Sequence, residues 1–328
     1  MKWLTDSWYE NRAIRFILLP ISMLYQLIIA IRRHAYRLKI FKQYHPNVPV
    51  IIIGNITVGG TGKTPAVIWL ATQLKQAGYN PGIISRGYGG QAEQYPQAVK
   101  PNSDPKIVGD EPVIISQQTG CPMAVSPKRS EAAEYLIDNH HCDVIISDDG
   151  LQHYAIARDI EVVVVDGIRL FGNRYCLPAG PLREPIIRLR DVDFVILNGG
   201  NSASQYIMTL IPGQVINVAD GAVQKPLDAF KGQTIHTIAG IGHPERFFNY
   251  LSDAGLTIEP HHFADHHRFK AIDLHFGDDH PILMTEKDAI KCRAFATDNM
   301  WYIPVKASVN NDLEQHILTK LAGITNHG

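Results

Sequence analysis

VPVIIIGNITVGGTGKTP, Val48–Pro65, decides how this chain folds. Val48 to Gly54 is a short apolar run rich in β-branched residues, the pattern of a strand buried on both faces. A glycine-rich turn follows and ends in Gly62-Lys63-Thr64. From Pro65 to Ala77 the chain reads as a helix with proline near its first turn. Strand, glycine loop and helix together make the frame of a phosphate-binding loop.

The strict loop pattern, G-x-x-x-x-G-K-[ST], puts its first glycine where this chain has Thr57. Gly59, Gly60 and Gly62 remain, and Gly-Gly-Thr-Gly-Lys-Thr resembles the variant loop G-G-x-G-K-[ST] of one branch of nucleotide hydrolases and kinases. Val58 stands where that branch often carries a signature lysine. The physical demands are still met. Glycines let backbone N–H groups face phosphate oxygens, and a helix N-terminus favours anions. Lys63 reaches the β/γ oxygens and Thr64 can ligate Mg²⁺. The expected nucleotide-binding residues are therefore Thr57, Val58, Gly59, Gly60, Thr61, Gly62, Lys63 and Thr64. The competing reading is a plain glycine turn between a strand and a helix.

Working outward, further short apolar runs alternate with helical stretches. Pro81–Ser85, Asp143–Ser147, Ile160–Val165 and Phe194–Leu197 read as strands. That alternation gives an α/β fold, a doubly wound parallel sheet like that of P-loop NTPases. In such sheets ligands sit beyond the carboxyl ends of strands. Arg86, Asp148, Asp149 and Asp166 fall there. The texture loosens around Gly213 to Lys231, and a second α/β set begins with Thr234–Ala239 and Pro281–Thr285. The expected organisation is an N-terminal helix in 1–42, a nucleotide-binding domain in 43–214 and a smaller α/β domain in 215–328.

Asp148 and Asp149 follow an apolar strand, the position of an acid that holds Mg²⁺ opposite a phosphate loop. Adjacent carboxylates also occur in ordinary turns. His261-His-Phe-Ala-Asp-His-His267 packs four histidines into seven residues. Zinc is one reading, although neither a cysteine partner nor an H-E-x-x-H pattern accompanies them. A solvated polar loop is another, and a histidine that tunes an acid or moves a proton is a third.

Composition narrows the function classes. Among 328 residues, Lys plus Arg number 31 and Asp plus Glu 32, for a net charge of −1, which argues against a bulk nucleic-acid binder. Four scattered cysteines without a C-x-x-C pair indicate a reducing compartment rather than a disulfide framework. Phe16 to Ile31 is an uncharged apolar run, with Arg12 and Arg15 before it and Arg32, Arg33, Arg37 and Lys39 after it. It lacks a signal-peptide cleavage site and is shorter than the ~20 apolar residues of a spanning helix. An interfacial helix with arginines at anionic headgroups fits better. A core-packed helix is the alternative.

Several stretches, in order along nearly the whole chain, resemble one family, the tetraacyldisaccharide 4′-kinases of lipid A synthesis. They are the arginine-flanked apolar start, VGGTGKTP (58–65), SRGYGG (85–90), GDEP (109–112), SDDGLQH (147–153), LPAGPLREP (177–185), AGIGHPERFF (239–248), FADHH (263–267) and TEKDAIK (285–291). The resemblance implies transfer of phosphate from ATP, with Mg²⁺, to the 4′-hydroxyl of a tetra-acylated glucosamine disaccharide 1-phosphate. It implies a lipid substrate met at a membrane surface, the cytoplasmic face of the bacterial inner membrane, and no nucleic-acid partner. It also implies Asp110 as base with His266 as partner, the adjacent His267 leaving that choice open. Lys63 completes the catalytic set, and Thr64, Asp148 and Asp149 the expected metal ligands. Arg86, Arg183 and Glu184 are candidate substrate contacts, each with a structural ion pair as the alternative, an ambiguity that Lys128 and Arg129 share. Rival readings are a nucleotide-hydrolysing switch or metallochaperone, a soluble small-molecule kinase or ligase, and a nonenzymatic membrane adaptor. Val58 and the order Thr285-Glu-Lys-Asp288, which is not the N-K-x-D that reads guanine, weigh against the first.

Overall fold

The structure, a computed structural model, describes residues 8–9, 14–200, 205–310 and 312–325. Arg12 of the expected basic flank lies outside them. Strands β1 (Val50–Gly54), β2 (Pro81–Ser85), β3 (Gln97–Val99), β4 (Met123–Val125), β5 (Val144–Asp148), β6 (Ile160–Asp166), β7 (Phe194–Asn198) and β8 (Tyr206–Pro212) build the first sheet. Strands β9 (Val215–Asn217), β10 (Gln224–Lys225), β11 (Thr234–Ala239), β12 (Thr257–His262), β13 (Ile282–Thr285) and β14 (Met300–Ile303) build a second. The last strand, β15 (Val305–Val309), returns to the first.

The first sheet has nine strands in the order β15-β8-β7-β6-β1-β5-β2-β4-β3. β1 lies between β5 and β6 and is parallel to both. Every residue of β1, β5 and β6 is buried, as continuous β-branched runs demand when both sheet faces are covered. Chain order departs in opposite directions on the two sides of β1. The loop after β1 therefore opens at a topological switch point, where doubly wound sheets bind ligands.

Eight helices are described: α1 (Ile14–Arg37), α2 (Lys63–Gln76), α3 (Pro105–Val108), α4 (Asp110–Thr119), α5 (Arg129–His140), α6 (Glu245–Asp253), α7 (Glu286–Cys292) and α8 (Leu313–Thr325). α2 starts at Lys63 behind Gly62, whose φ of 94° is left-handed and whose missing Cβ avoids Asn198 Nδ2, 2.4 Å away. No side chain caps this helix start, so its first N–H groups stay available to an anion.

The expected division at 215–328 needs redrawing. β15 pairs antiparallel with β8, and Leu313, Ile317 and Leu321 of α8 are fully buried in the first core beside Val67, Leu70 and Leu74. The second unit is an insertion between β8 and β15. Its two connections touch, because Gly213 N–H donates to the Pro304 carbonyl at 2.9 Å.

α1 lies along the first unit. Ser22 Oγ donates to the Cys176 carbonyl at 2.7 Å, Tyr25 Oη donates to the Arg183 carbonyl at 3.2 Å, and Arg33 pairs with Asp191. The opposite face is apolar and exposed, with Phe16, Ile17, Ile21, Leu24, Leu27, Ile28 and Ile31 all more than half accessible. That excludes the core-packed alternative for this helix.

Candidate active site

The phosphate loop forms one wall of a cavity of about 680 Å³ between the two units. Gly59 through Thr64 line it from below, and Arg246, Phe247, Tyr250, His266 and Lys287 of the inserted unit line it from above. A Cβ on Gly242 would stand 3.0 Å from the Gly60 amide, so glycine lets the inserted unit approach the loop this closely. Two struts fix the loop. Asn198 Nδ2 donates to the Thr61 carbonyl at 3.0 Å. Arg169 Nη2 donates to the Gly60 carbonyl at 2.9 Å while its Nε donates to Asp166 at 3.1 Å. Neither Arg169 nor Asn198 belongs to a recognisable motif; only the fold brings them to the loop.

Thr57 and Val58 do not line the cavity, and their expected role changes. Thr57 forms an antiparallel bridge with Leu182, and Val58 N–H donates to the Pro181 carbonyl at 2.8 Å. Because the chain at Thr57 is extended against a neighbour, the glycine of the strict pattern is not required there.

The acids after β5 play different parts. Asp148 is fully buried, and its Oδ1 has no hydrogen-bond partner among the described residues. Its Oδ2 accepts from Ser85 at 3.3 Å. Burial, reinforced by the charges of Glu111 and Asp149, raises its pKa to about 7. A buried carboxylate with an unsatisfied oxygen calls for a cation. Asp149 is already engaged. Lys63 Nζ is 3.6 Å from its Oδ1, and Arg183 Nη1 donates to its two oxygens at 3.2 and 3.1 Å. Burial pushes Asp149 up, but these cations prevail and hold it below the usual range. Arg129, buried at the start of α5, donates to the carbonyls of Asp148 and Asp149 at 2.9 and 2.8 Å and so fixes the turn. Lys128, in contrast, is exposed and pairs with Glu131.

Glu184 is not an open substrate contact. It is 1% exposed and accepts from Gln152 at 2.8 Å and Tyr154 at 2.6 Å, with Arg188 Nε at 3.3 Å. The ion-pair alternative holds for Glu184, which braces the segment carrying Arg183. Arg183 faces the cavity, whereas Arg86 is exposed at the end of β2, apart from the cavity wall.

Asp110 opens α4 and is almost completely buried. Its Oδ1 accepts from Glu111 N–H at 2.9 Å, and its Oδ2 lies 3.0 Å from His266 Nδ1. His267 instead bonds Asp273 at 3.0 Å, so His266 is the partner of Asp110. Lys287 Nζ sits 3.4 Å from His266 Nε2, 3.1 Å from both Glu111 and Asp265, and 4.0 Å from Asp110. An ammonium at Nε2 requires that nitrogen to accept, which assigns the ring proton to Nδ1 and directs it at Asp110. Burial raises the Asp110 carboxyl, but the His266 hydrogen bond and the Lys287 charge outweigh it and leave a lowered value. His266 is raised, chiefly by its bond to Asp110. The TEKDAIK motif contains Lys287, but its role emerges only from contacts with segments distant in sequence, at Asp110–Glu111 and Asp265–His266.

The histidines of 261–267 do not converge on one ion. His261 meets His236 at 3.0 Å, His262 lies 3.7 Å from Glu245, and His266 and His267 take the separate aspartates just described.

The family model for tetraacyldisaccharide-1-P 4′-kinase, LpxK, matches residues 14–322. This chain belongs to the LpxK family. Among LpxK relatives, the tetraacyldisaccharide 4′-kinase of Nitrosococcus oceani is 51% identical over 96% of this chain and 93% of its own length. That of Methylobacillus flagellatus is 51% identical over 98% and 96% respectively. A crystal structure of "apo" form LpxK from Aquifex aeolicus in complex with ATP has a TM-score of 0.79 and 26% identity, covering 94% of this chain and 99% of that one. The LpxK motifs quoted from the sequence surround the cavity: the phosphate loop, the Asp110 turn, the Asp148–Asp149 turn and the His266 loop.

Proposed function

We propose that this enzyme transfers the γ-phosphoryl group of ATP to the 4′-hydroxyl of a tetraacylated glucosamine disaccharide 1-phosphate, giving the bis-phosphorylated precursor of lipid A. The observation that carries the reading is His266, which lines the cavity shared with the phosphate loop and holds the almost completely buried Asp110 at 3.0 Å behind it. Asp110 Oδ2 takes the hydroxyl proton as the phosphoryl group moves. A weak base suffices because phosphoryl transfer has a loose transition state with little proton transfer to drive. His266 Nδ1–H orients the carboxylate, and Lys287 fixes the far nitrogen of the imidazole.

Lys63 and the uncapped amides of α2 hold the donor phosphates. When phosphate arrives, Lys63 has a stronger partner than Asp149, and Arg183 is left to hold that carboxylate. Asp148, through its unsatisfied oxygen, and Thr64 fit Mg²⁺, with Asp149 beside them. Bound there, the ion supplies charge neutralisation for the β- and γ-phosphates. Arg183 at the cavity wall and Arg86 outside it are proposed contacts for substrate phosphate. The apolar face of α1 supports work at a lipid surface, the cytoplasmic face of the inner membrane. A substrate with four acyl chains leaves a bilayer at a cost of ~0.8 kcal/mol for each CH₂, so the enzyme comes to it.

Incubation with the 1-phosphorylated tetraacyl disaccharide, ATP and Mg²⁺ tests the proposal. A bis-phosphorylated lipid is the expected product. ATP turnover without that product would overturn the assignment.

A further inference from the structure

His261 belongs to a cluster away from the nucleotide cavity. His236 on β11 and Glu259 on β12 face each other across two parallel strands, and His261 is two residues further along β12, on the same face. His236 Nδ1 lies 3.0 Å from His261 Nε2 and 3.3 Å from Glu259 Oε2. All three ligand atoms are within 4.8 Å of one another. Behind them, His236 Nε2 is 3.1 and 3.2 Å from the two oxygens of Asp278, and Asp278 is itself fixed by His280 N–H at 3.0 Å.

A carboxylate behind Nε2 places the ring proton there and leaves a bare Nδ1 lone pair aimed at Glu259 and His261. A lone pair and a carboxylate oxygen at that separation repel unless a cation stands between them. A proton could serve, but the spacing also suits a metal. Two donors each ~2.1 Å from a tetrahedral Zn²⁺ stand about 3.4 Å apart, close to the separation of His236 and Glu259. Phe276 lies against both imidazoles, with its ring centroid 4.1 Å from each, and walls off one side. The other side is open, because Glu259 is exposed while His236 is buried.

We infer that His236, Glu259 and His261 form a binding site for a divalent transition ion of the Zn²⁺ class, oriented from behind by Asp278. Two imidazoles and one carboxylate suit Zn²⁺ better than Mg²⁺. The fourth position is left for water. The ion ties β11 to β12, and β12 leads within four residues of its end to His266. Its role is to stiffen the strand that delivers the catalytic loop.

The full chain, stripped with a chelator and kept in excess Mg²⁺, is titrated with Zn²⁺ by calorimetry, with Co²⁺ as a spectroscopic probe. The expected result is one bound equivalent, a higher melting temperature and the visible absorption of tetrahedral Co²⁺. His261→Ala and Glu259→Ala, both at partly or fully exposed positions, each weaken binding by about tenfold or more, and Asp278→Asn by roughly 10–100-fold. Absence of the single equivalent in the stripped protein, or its retention at full affinity in His261→Ala or Glu259→Ala, would overturn the site.

Discussion

Asp110 and His266 alter each other's proton affinity in opposite directions, and their linkage to stability has a definite sign. His266 is raised in the folded state, so its contribution is fully present below its unfolded value of about 6.5 and fades as pH rises through the higher folded value. Asp110 is lowered, so its contribution is present above about 3.9 and is lost as pH falls through the folded value. The pair therefore stabilises most between roughly pH 4 and 6.5. Urea unfolding of the wild type and His266→Gln should differ most near pH 6 and converge in alkaline buffer; a gap that widens with pH contradicts the pairing. In kinetics, His266→Ala should lower kcat by ~10²–10⁴, the usual worth of positioned acid–base groups, while KM for ATP changes little. An unchanged kcat would remove His266 from the mechanism. Lys63 and the Asp148–Asp149 pair carry a chemical signature in the sequence, whereas Asp110 and His266 entered as candidates through the family resemblance alone. Arg129 stood open between substrate contact and ion pair, and Arg169 and Lys287 carried no assignment, because a positioning side chain is defined by what folds against it.

At the level of elements, α1 has the clearest separable task. Its docking uses small polar contacts at Ser22 and Tyr25 and leaves a broad apolar face open. Replacing Ile17, Leu24 and Ile28 with serine should remove surface affinity without touching the fold, since all three are exposed. Flotation with anionic vesicles should lose the protein, and turnover of the lipid substrate should fall, while ATP binding persists. Equal flotation of the variant and the parent would assign the face to some other task. In the first sheet, β1, β2, β5, β6 and β7 were legible because buried parallel strands are unbroken apolar runs; the three-residue β3 and β4 and the mixed β8 offer no such run. β15 was not legible either. Its half-buried and exposed residues alternate over only five positions, and a short alternating run does not say which sheet it joins.

The molecule as a whole is a nucleotide-binding body with a second body inserted near its C-terminal end. A chain ending at Pro304 should therefore damage the first body rather than the second. It removes the edge strand β15 and the buried Leu313, Ile317 and Leu321. Losing even one such side chain costs about 2–5 kcal/mol, and the loss of three is as large as the whole stability of a typical domain. The expected result is no folded protein by circular dichroism and no nucleotide binding; a shortened chain that melts like the parent would show that the inserted body includes the last strand and helix. The boundary was hard to read in sequence because an insertion separates β8 from its sheet partner by some ninety residues. The contact between the two connections, Gly213 to Pro304, has a further consequence. Two crossings pinned side by side join the bodies at one place, so what seats the inserted body over the loop is side-chain contact, such as Gln118 with Glu286 and Lys287 with Glu111. Any movement of one body against the other would break those contacts first, and the distance from Asp110 to His266 would report it.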